Sequence, residues 1–316
     1  MGVNLDKPQR WKADTQRSVD NYNRWFLEYA PIAYRETRTR TTLYVEDILL
    51  RTDNLRRLTG DLLFQHPDAL EMLRMSTAPP IARDRLAGLA QVSKRLIENM
   101  ERHGRISANL TEIAVREQLE RIATVIIQLI DRDIFTWFNG IGEPAVEDVR
   151  RVSTVVADRL SGVLTDTLIR NAQEEHQLQL ITRWLEARGY TPSEVRSPWQ
   201  MQPGTFAHRV KIAAMQEGNI VVNIPIDTVI MPFSASVGEL PVLVEAKSAG
   251  DFTNTNKRRK EEATRMRQLR HAFGEQVRFI LLLGGYFDSG YLGYEAAEGI
   301  DWVWEHRMDD LVEFGL

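Results

Sequence analysis

The chain has 316 residues, of which 43% are hydrophobic and 27% are charged, and its formal net charge at pH 7 is −4. This composition is typical of a folded protein of one or two domains. The chain contains no cysteine, which excludes disulfides, thiolate metal sites and a cysteine nucleophile. No window is apolar enough for a membrane span, and the N-terminus lacks the apolar core of a signal peptide, so we expect a cytoplasmic protein without a membrane partner.

The first half of the chain is predicted to be helical. From about Asp14 to Asn171 the apolar residues recur at helical spacing, and glycine and proline are rare. The clearest predicted helices are Ile81 to Met100 and Leu110 to Ile130. Turns are expected at Pro79-Pro80 and at Asn139 to Pro144.

The second half changes to strand-like patterns. A further helix is predicted from about Asn171 to Gly189, and a long helix from about Thr255 to Phe273. The predicted strands are Phe206–Ala214, Ile220–Ile230, Pro241–Ala246, Val277–Leu283 and Asp301–Trp304. The resulting order, α-β-β-β-α-β-β, predicts an α+β fold in which a helical region, residues 1–170, precedes a mixed sheet flanked by helices, residues 171–316.

Charged residues follow two of the predicted apolar strands. Asp227 closes the apolar run Val221–Ile226 and Glu245 closes the run Val242–Val244, while Lys247 shares the face of Glu245 because side chains in a strand alternate with period two. Two carboxylates can hold a hard divalent cation, with the Ala246 carbonyl as a further ligand, and an ammonium can stabilise charge that develops on phosphorus. The pattern predicts metal-dependent phosphodiester cleavage. The alternative is a structural ion pair at a sheet edge.

This pattern resembles the motif of the PD-(D/E)xK nuclease superfamily. Pro225-Ile226-Asp227 is followed by Glu245-Ala246-Lys247, and the two segments lie between an upstream helix and a downstream basic helix. One residue separates Pro225 from Asp227, a departure that the superfamily tolerates. The resemblance implies a core sheet framed by helices, Mg²⁺ bound by Asp227 and Glu245, and Lys247 as a catalytic residue.

Within that superfamily the chain is most similar to type II restriction endonucleases of the XamI type. The similar segments are Asn223–Leu269, Asp301–Arg307 and Ala78–Leu86. The resemblance implies a homodimer that cuts double-stranded DNA at a short, GTCGAC-like palindrome, with residues 1–170 clamping and recognising DNA and residues 171–316 forming the catalytic core. Two alternatives stay open: a repair or junction nuclease that cuts by DNA structure, and a non-enzymatic helical DNA-binding or scaffold protein.

Many members of the superfamily carry an acidic residue on the helix before the sheet, and here Glu174 or Glu175 could take that place. At 100° per residue, Glu174 lies within about 40° of the apolar residues that follow it, whereas Glu175 lies about 100° from Glu174. Those apolar residues are Leu178, Ile181 and Leu185. We therefore favour Glu174 as the catalytic carboxylate. The alternative role is stabilisation of a helix N-terminus.

The segment from Asn254 to Arg270 is strongly basic, with seven basic and two acidic residues. It follows Lys247 closely, so we expect it beside the scissile phosphate, where cations supply affinity for the DNA backbone. The residues expected to contact DNA are Asn256, Lys257, Arg258, Lys260 and Arg265. The alternative interpretation is a solvated helix face with no ligand.

Overall fold

A computed structural model describes residues 2–106, 111–139, 143–194, 197–216, 220–236, 238–253 and 255–316, and for 139, 216, 220 and 255–258 only the backbone. The chain forms two compact units. One contains Ala30–Leu168, and the other contains Met1–Tyr29 together with Ile169–Leu316. The first 29 residues therefore accompany the C-terminal part of the chain.

The unit formed by Ala30–Leu168 is helical. It includes parts of α1 (Pro8–Arg51) and α7 (Val146–Glu186), with α2 (Gly60–Gln65), α3 (Leu70–Met75), α4 (Arg83–Ala90), α5 (Lys94–His103) and α6 (Glu112–Leu129). The hydroxyl groups of Thr59, Ser93 and Thr111 cap the N-termini of α2, α5 and α6. Aliphatic side chains from all of these helices fill its core.

Two helix predictions were wrong in their extent. The predicted helix Ile81 to Met100 is two helices, because Gln91 adopts a left-handed conformation, with φ 53°, and ends α4. The predicted helix start near Asn171 lies inside α7, which runs without interruption from Val146 to Glu186. No glycine or proline lies near Asn171 to stop the helix there.

The other unit contains a six-stranded mixed sheet with the spatial order β1-β2-β3-β4-β5-β6. Its strands are β1 (Thr191–Pro192), β2 (Thr205–Gln216), β3 (Ile220–Met231), β4 (Val242–Ala249), β5 (Phe279–Gly285) and β6 (Asp301–Trp304). The β2–β3 and β3–β4 pairs are antiparallel, and the other pairs are parallel. The predicted α+β class, with helices first and a mixed sheet after them, is confirmed.

The helix α8 (Thr255–Phe273) connects β4 to β5, as predicted, but a second connecting helix was missed. Since β5 and β6 are parallel, the chain must cross over between them, and α9 (Ser289–Ala297) makes that crossover. The Asp288 side chain caps α9 by accepting a hydrogen bond of 2.8 Å from the Tyr291 N–H. Gly290 and Gly293 weaken the helical signal of this segment in the sequence.

The two faces of the sheet pack against different helices. Leu243, Leu281 and Leu283 belong to an apolar cluster that includes residues of α8 and α9. Val244 and Ile280 point the other way and pack in a cluster with residues of α7. By the same alternation, Glu245 and Lys247 share the face that α8 covers. No helix of the described residues is long and apolar enough to cross a membrane.

Candidate active site

The candidate site forms where β3 and β4 run antiparallel. Thr228 pairs with Val244 in this ladder, so the next positions along the two strands are Asp227 and Glu245. The Ala246 N–H donates a hydrogen bond of 2.9 Å to Asp227 Oδ2. Two carboxylates that are 18 residues apart in the chain thus come together on neighbouring strands.

The surroundings of Asp227 disfavour its charged form. Burial raises the pKa of this carboxyl to about 6, and the negative charge of Glu245 acts in the same direction. The hydrogen bond from Ala246 and the charge of Lys247 oppose the shift without cancelling it. A cation beside Asp227 would stabilise the charged form that burial and Glu245 disfavour, so this position is suited to binding a cation.

Glu245 is 5% exposed, and its two oxygens have different surroundings. Oε1 accepts a hydrogen bond of 2.8 Å from Lys247 Nζ and also forms an ion pair with the Arg265 guanidinium. Oε2 is buried and has no hydrogen-bond partner within the described part of the chain. A buried carboxylate oxygen without a partner costs free energy, so this oxygen is a natural position for a ligand.

Lys247 is held from two sides. Its Nζ lies 2.8 Å from Glu245 Oε1 and 3.7 Å from Glu262 Oε1. Its backbone carbonyl accepts a hydrogen bond of 3.0 Å from Gln177 Nε2, which also donates to the Leu282 carbonyl at 3.2 Å. Both the strand position and the ammonium of this residue are therefore fixed.

Glu262 and Gln177 are the two neighbours of Lys247 that sequence reasoning missed. In the sequence Glu262 is only a negative charge on a basic helix, yet its side chain is buried and accepts a hydrogen bond of 3.1 Å from the Tyr291 hydroxyl. Its spacing of four residues from Met266 and seven from Leu269 places it on the buried stripe of α8, which is the signal that could have revealed it.

Glu174 and Glu175 both bind Arg209. Arg209 Nη2 lies 3.0 Å from Glu174 Oε1 and 3.4 Å from Glu175 Oε2. The charge of Glu174 also contributes to the raised pKa of Asp227, so Glu174 lies near the paired carboxylates. It is partly exposed, and its contact with the sheet is this ion pair rather than burial against the strands.

Arg209 itself adopts an unusual conformation on β2. Its φ is 54°, in the left-handed region, and it lies between the pairs His208–Thr228 and Val210–Ile226. Ala207 and Val210 belong to the same apolar cluster although a regular strand would point them to opposite faces. The regular alternation of side chains between the two faces of the sheet is therefore interrupted at Arg209, directly opposite Asp227.

The residues expected to contact DNA lie in different surroundings. Lys260 is exposed and lines a groove of about 500 Å³ together with Pro225 and Arg265. Arg265 is only 20% exposed in its side chain and forms the ion pair with Glu245. The side chains of Asn256, Lys257 and Arg258 lie outside the described residues, although α8 includes their backbone.

Asp227 and Glu245 are the two carboxylates available as metal ligands on these strands. No group of three histidine, aspartate or glutamate side chains is arranged to hold a metal ion among the residues that the structure describes. A metal here would complete its coordination with a backbone carbonyl, water or substrate oxygens. Mg²⁺ commonly binds in this way, through one or two carboxylates with waters and phosphate oxygens.

Comparison with known proteins gives the family. The model of the family described as XamI restriction endonuclease matches residues 53–304. The chain belongs to the XamI restriction endonuclease family. The matched segment includes Asp227, Glu245, Lys247 and Glu262, and it covers most of the helical unit as well.

A curated relative is similar over the whole chain. The type II restriction enzyme SalI of Streptomyces albus G is 50% identical over 317 residues, which cover 99% of each chain. Among solved structures, protein VC1899 of Vibrio cholerae is 15% identical and covers 80% of this chain, with a TM-score of 0.29. This chain spans 55% of that protein's length, and so low a TM-score supports no conclusion. The XamI relationship makes the protein a restriction endonuclease, as predicted, and not a non-enzymatic scaffold.

Proposed function

We propose that the protein is a Mg²⁺-dependent type II restriction endonuclease that hydrolyses phosphodiester bonds in double-stranded DNA at a short palindrome. The observation that carries this proposal is the convergence of Asp227 and Glu245 at the β3–β4 junction, with Lys247 Nζ 2.8 Å from Glu245 Oε1. The specific site that we propose is GTCGAC-like, as the resemblance to the XamI type implies.

The residues present fit a divalent cation. Glu245 Oε2 has no hydrogen-bond partner among the described residues, and the pKa of Asp227 is raised although the charge of Lys247 opposes the shift, so the nearby cations do not fully compensate the two carboxylates. Asp227 and Glu245 would hold Mg²⁺, with the Ala246 carbonyl as a further ligand. When bound, Mg²⁺ polarises the phosphoryl oxygen and lowers the pKa of a water.

The protein groups around this position have distinct roles in the proposal. Lys247 would hold the attacking water by a hydrogen bond and stabilise the charge that develops on the phosphoryl oxygens. Glu262 and Gln177 would keep Lys247 in place. Glu174 is the further carboxylate that we propose for the site, because its charge already acts on Asp227.

We propose that α8 binds the DNA backbone close to the cleavage site. Exposed Lys260 supports this role, while Arg265 is positioned to bind phosphate only if its ion pair with Glu245 rearranges. Asn256, Lys257 and Arg258 are proposed on their sequence alone. Residues 1–170 are proposed to clamp and recognise DNA, residues 171–316 to form the catalytic core, and two copies to act as a homodimer on the two strands of the palindrome.

The decisive experiment is digestion of phage DNA of known sequence by the purified protein, with Mg²⁺ or with EDTA. Discrete fragments that require Mg²⁺ would support the proposal, and fragment mapping would give the recognition site. The Glu245→Ala variant should give intact DNA under the same conditions. Random nicking would instead favour a nuclease directed by DNA structure, and cleavage in EDTA would contradict the proposed metal.

A further inference from the structure

A cleft beside the catalytic strand is not used by the proposed cleavage chemistry. It has a volume of about 380 Å³, and one wall is the stretch of α1 that contains Asn21, Arg24 and Glu28. Gln173 of α7 and Ser248 of β4 line it as well. Ser248 directly follows Lys247, so the cleft lies next to the proposed active site, towards the other face of the sheet.

This part of α1 is fixed firmly to the ends of the strands. The Thr15 hydroxyl donates to the Phe287 carbonyl at 2.8 Å, and the Ser18 hydroxyl accepts from the Gly285 N–H at 2.8 Å. Further along the helix, Asn23 Oδ1 accepts a hydrogen bond of 2.7 Å from the Tyr286 hydroxyl. The helix is therefore a rigid support, which suits side chains that must recognise a ligand geometrically.

A polar stripe lies beside the anchored face of the helix. At 100° per residue, Asn21, Arg24 and Glu28 fall within about 60° of one another. Arg24 and Glu28 are exposed, and none of the three side chains has a hydrogen bond or ion pair with any residue in the described ranges. A rigid helix thus presents an amide, a guanidinium and a carboxylate that have no partner within the described part of the chain.

We propose that Asn21, Arg24 and Glu28 read base edges of the target site from the major groove. This inference rests on the proposed function, since it assumes that DNA lies across the catalytic strand. Arginine pairs with guanine, asparagine with adenine, and glutamate with the amino group of cytosine. Glu28 has no role in a phosphate contact, because such contacts are supplied by cations and neutral donors, whereas it can accept a hydrogen bond from a base.

The position of the stripe suits a site of a few base pairs. A Cβ atom at Gly250 would lie 2.8 Å from the Tyr22 hydroxyl, so α1 contacts the chain three residues beyond Lys247, roughly 10 Å along a strand. The stripe from Asn21 to Glu28 rises by roughly 10 Å along the helix axis. Since successive base pairs are about 3.4 Å apart, this length corresponds to about three base pairs, the half-site of a six-base-pair palindrome.

The test compares cleavage by wild-type protein and variants on two kinds of duplex: one with the mapped site, and a series with one base pair of that site changed. Arg24→Ala and Asn21→Ala are each expected to lower kcat/KM on the mapped site by about tenfold to a hundredfold. The ratio of kcat/KM on the mapped site to kcat/KM on a changed duplex should fall for one base pair and stay unchanged for the others. Lys12→Ala, which removes a charge from another side of the same helix, should leave both quantities unchanged.

Arg24→Lys is the matched control, because it keeps the positive charge and loses the bidentate geometry. Base reading predicts that Arg24→Lys remains as impaired as Arg24→Ala. Equal loss on every duplex by Arg24→Ala, restored by Arg24→Lys, would identify a phosphate contact and overturn the inference. Unchanged rate and discrimination in both variants would also overturn it. Failure of the wild-type protein to cut any DNA would instead refute the proposed function itself.

Discussion

The neighbouring strands β4 and β5 both lie inside the sheet and yet carry opposite chemistry. They pair in parallel, with Glu245 beside Leu281 and Lys247 beside Leu283. Every residue of β5 is buried, and its side chains are apolar up to Leu283. In β4 the apolar part ends at Val244, where the buried carboxylate of Glu245 begins a polar, half-buried stretch.

This difference shows that β4 carries a charged side chain at a buried position where its neighbour β5 carries an apolar one. A carboxylate at the position where β5 has a leucine costs free energy unless a cation compensates its charge. Lys247 and Arg265 compensate one oxygen of Glu245, and the other oxygen is left without a partner among the described residues. The same buried environment that stabilises the apolar side chains of β5 leaves Glu245 of β4 short of compensating charge, which favours binding of a cation there.

The largest expected effect comes from removing the charge that distinguishes β4 from β5. Glu245→Gln and Lys247→Ala should each lower DNA cleavage by about a thousandfold or more, because metal binding and charge stabilisation both depend on them. Cleavage of a supercoiled plasmid in Mg²⁺ measures the loss. The control is Glu186→Gln, an exposed position on α7, which should cut normally. Full activity of Glu245→Gln would refute its role as a metal ligand.

The same comparison gives a prediction about stability. Leu281→Ala leaves a cavity in the fully buried β5 and should lower the free energy of unfolding by about 2–5 kcal/mol. Glu245→Gln should lower it by less, because the amide oxygen can still accept the hydrogen bond from Lys247 and Lys247 stays 3.7 Å from Glu262, although Arg265 loses its ion pair. Urea unfolding without divalent metal measures both values. Greater destabilisation by Glu245→Gln than by Leu281→Ala would contradict this reasoning.

The raised pKa of Asp227 predicts a pH-dependent stability. Because its pKa in the folded protein is about 6, above the usual 3.8, the folded state binds the proton more tightly than the unfolded state does. The resulting stability is fully present below about pH 4 and is lost as the pH rises through about 6. A shift of the pKa from 3.8 to about 6 corresponds to a loss of at most about 3 kcal/mol. Water that reaches this half-buried group makes the actual loss smaller.

Asp227→Asn tests this effect, because it removes the titration and keeps the shape of the side chain. Relative to the variant, the wild-type protein should lose free energy of unfolding between about pH 4 and about pH 6 in the absence of metal. A wild-type protein that gained stability over this pH range relative to Asp227→Asn would disprove the predicted direction.

The smallest expected effect concerns the support of Lys247 by α8. Glu262→Gln removes the carboxylate that lies 3.7 Å from Lys247 Nζ, while the amide oxygen can still accept the hydrogen bond from Tyr291. We expect kcat to fall by about tenfold with little change in KM, since the variant disturbs the position of an ammonium and not the binding of DNA. An unchanged kcat would show that Glu245 alone positions Lys247.

The sequence by itself determined the fold class, the five principal strands and the pair of segments around Asp227 and Glu245. These features follow from local signals: the period of apolar residues, turn residues, and charged residues that follow apolar runs. The two carboxylates do not end their strands, because β3 continues to Met231 and β4 to Ala249. It also favoured Glu174 over Glu175 by helical geometry, and the charge of Glu174 does act on Asp227. The resemblance to the XamI type supplied the family, which the comparisons confirm.

Only the tertiary structure decided which distant side chains meet. Glu262 and Gln177 reach Lys247 from α8 and α7, although nothing local in the sequence links the three positions. The helix α9 was not predicted because its two glycines weaken the helical pattern in the sequence. The need for a crossover becomes evident only once β5 and β6 are seen to pair in parallel. The physical reason is that local propensity depends on neighbours in the chain, whereas contacts, burial and pKa shifts depend on neighbours in space.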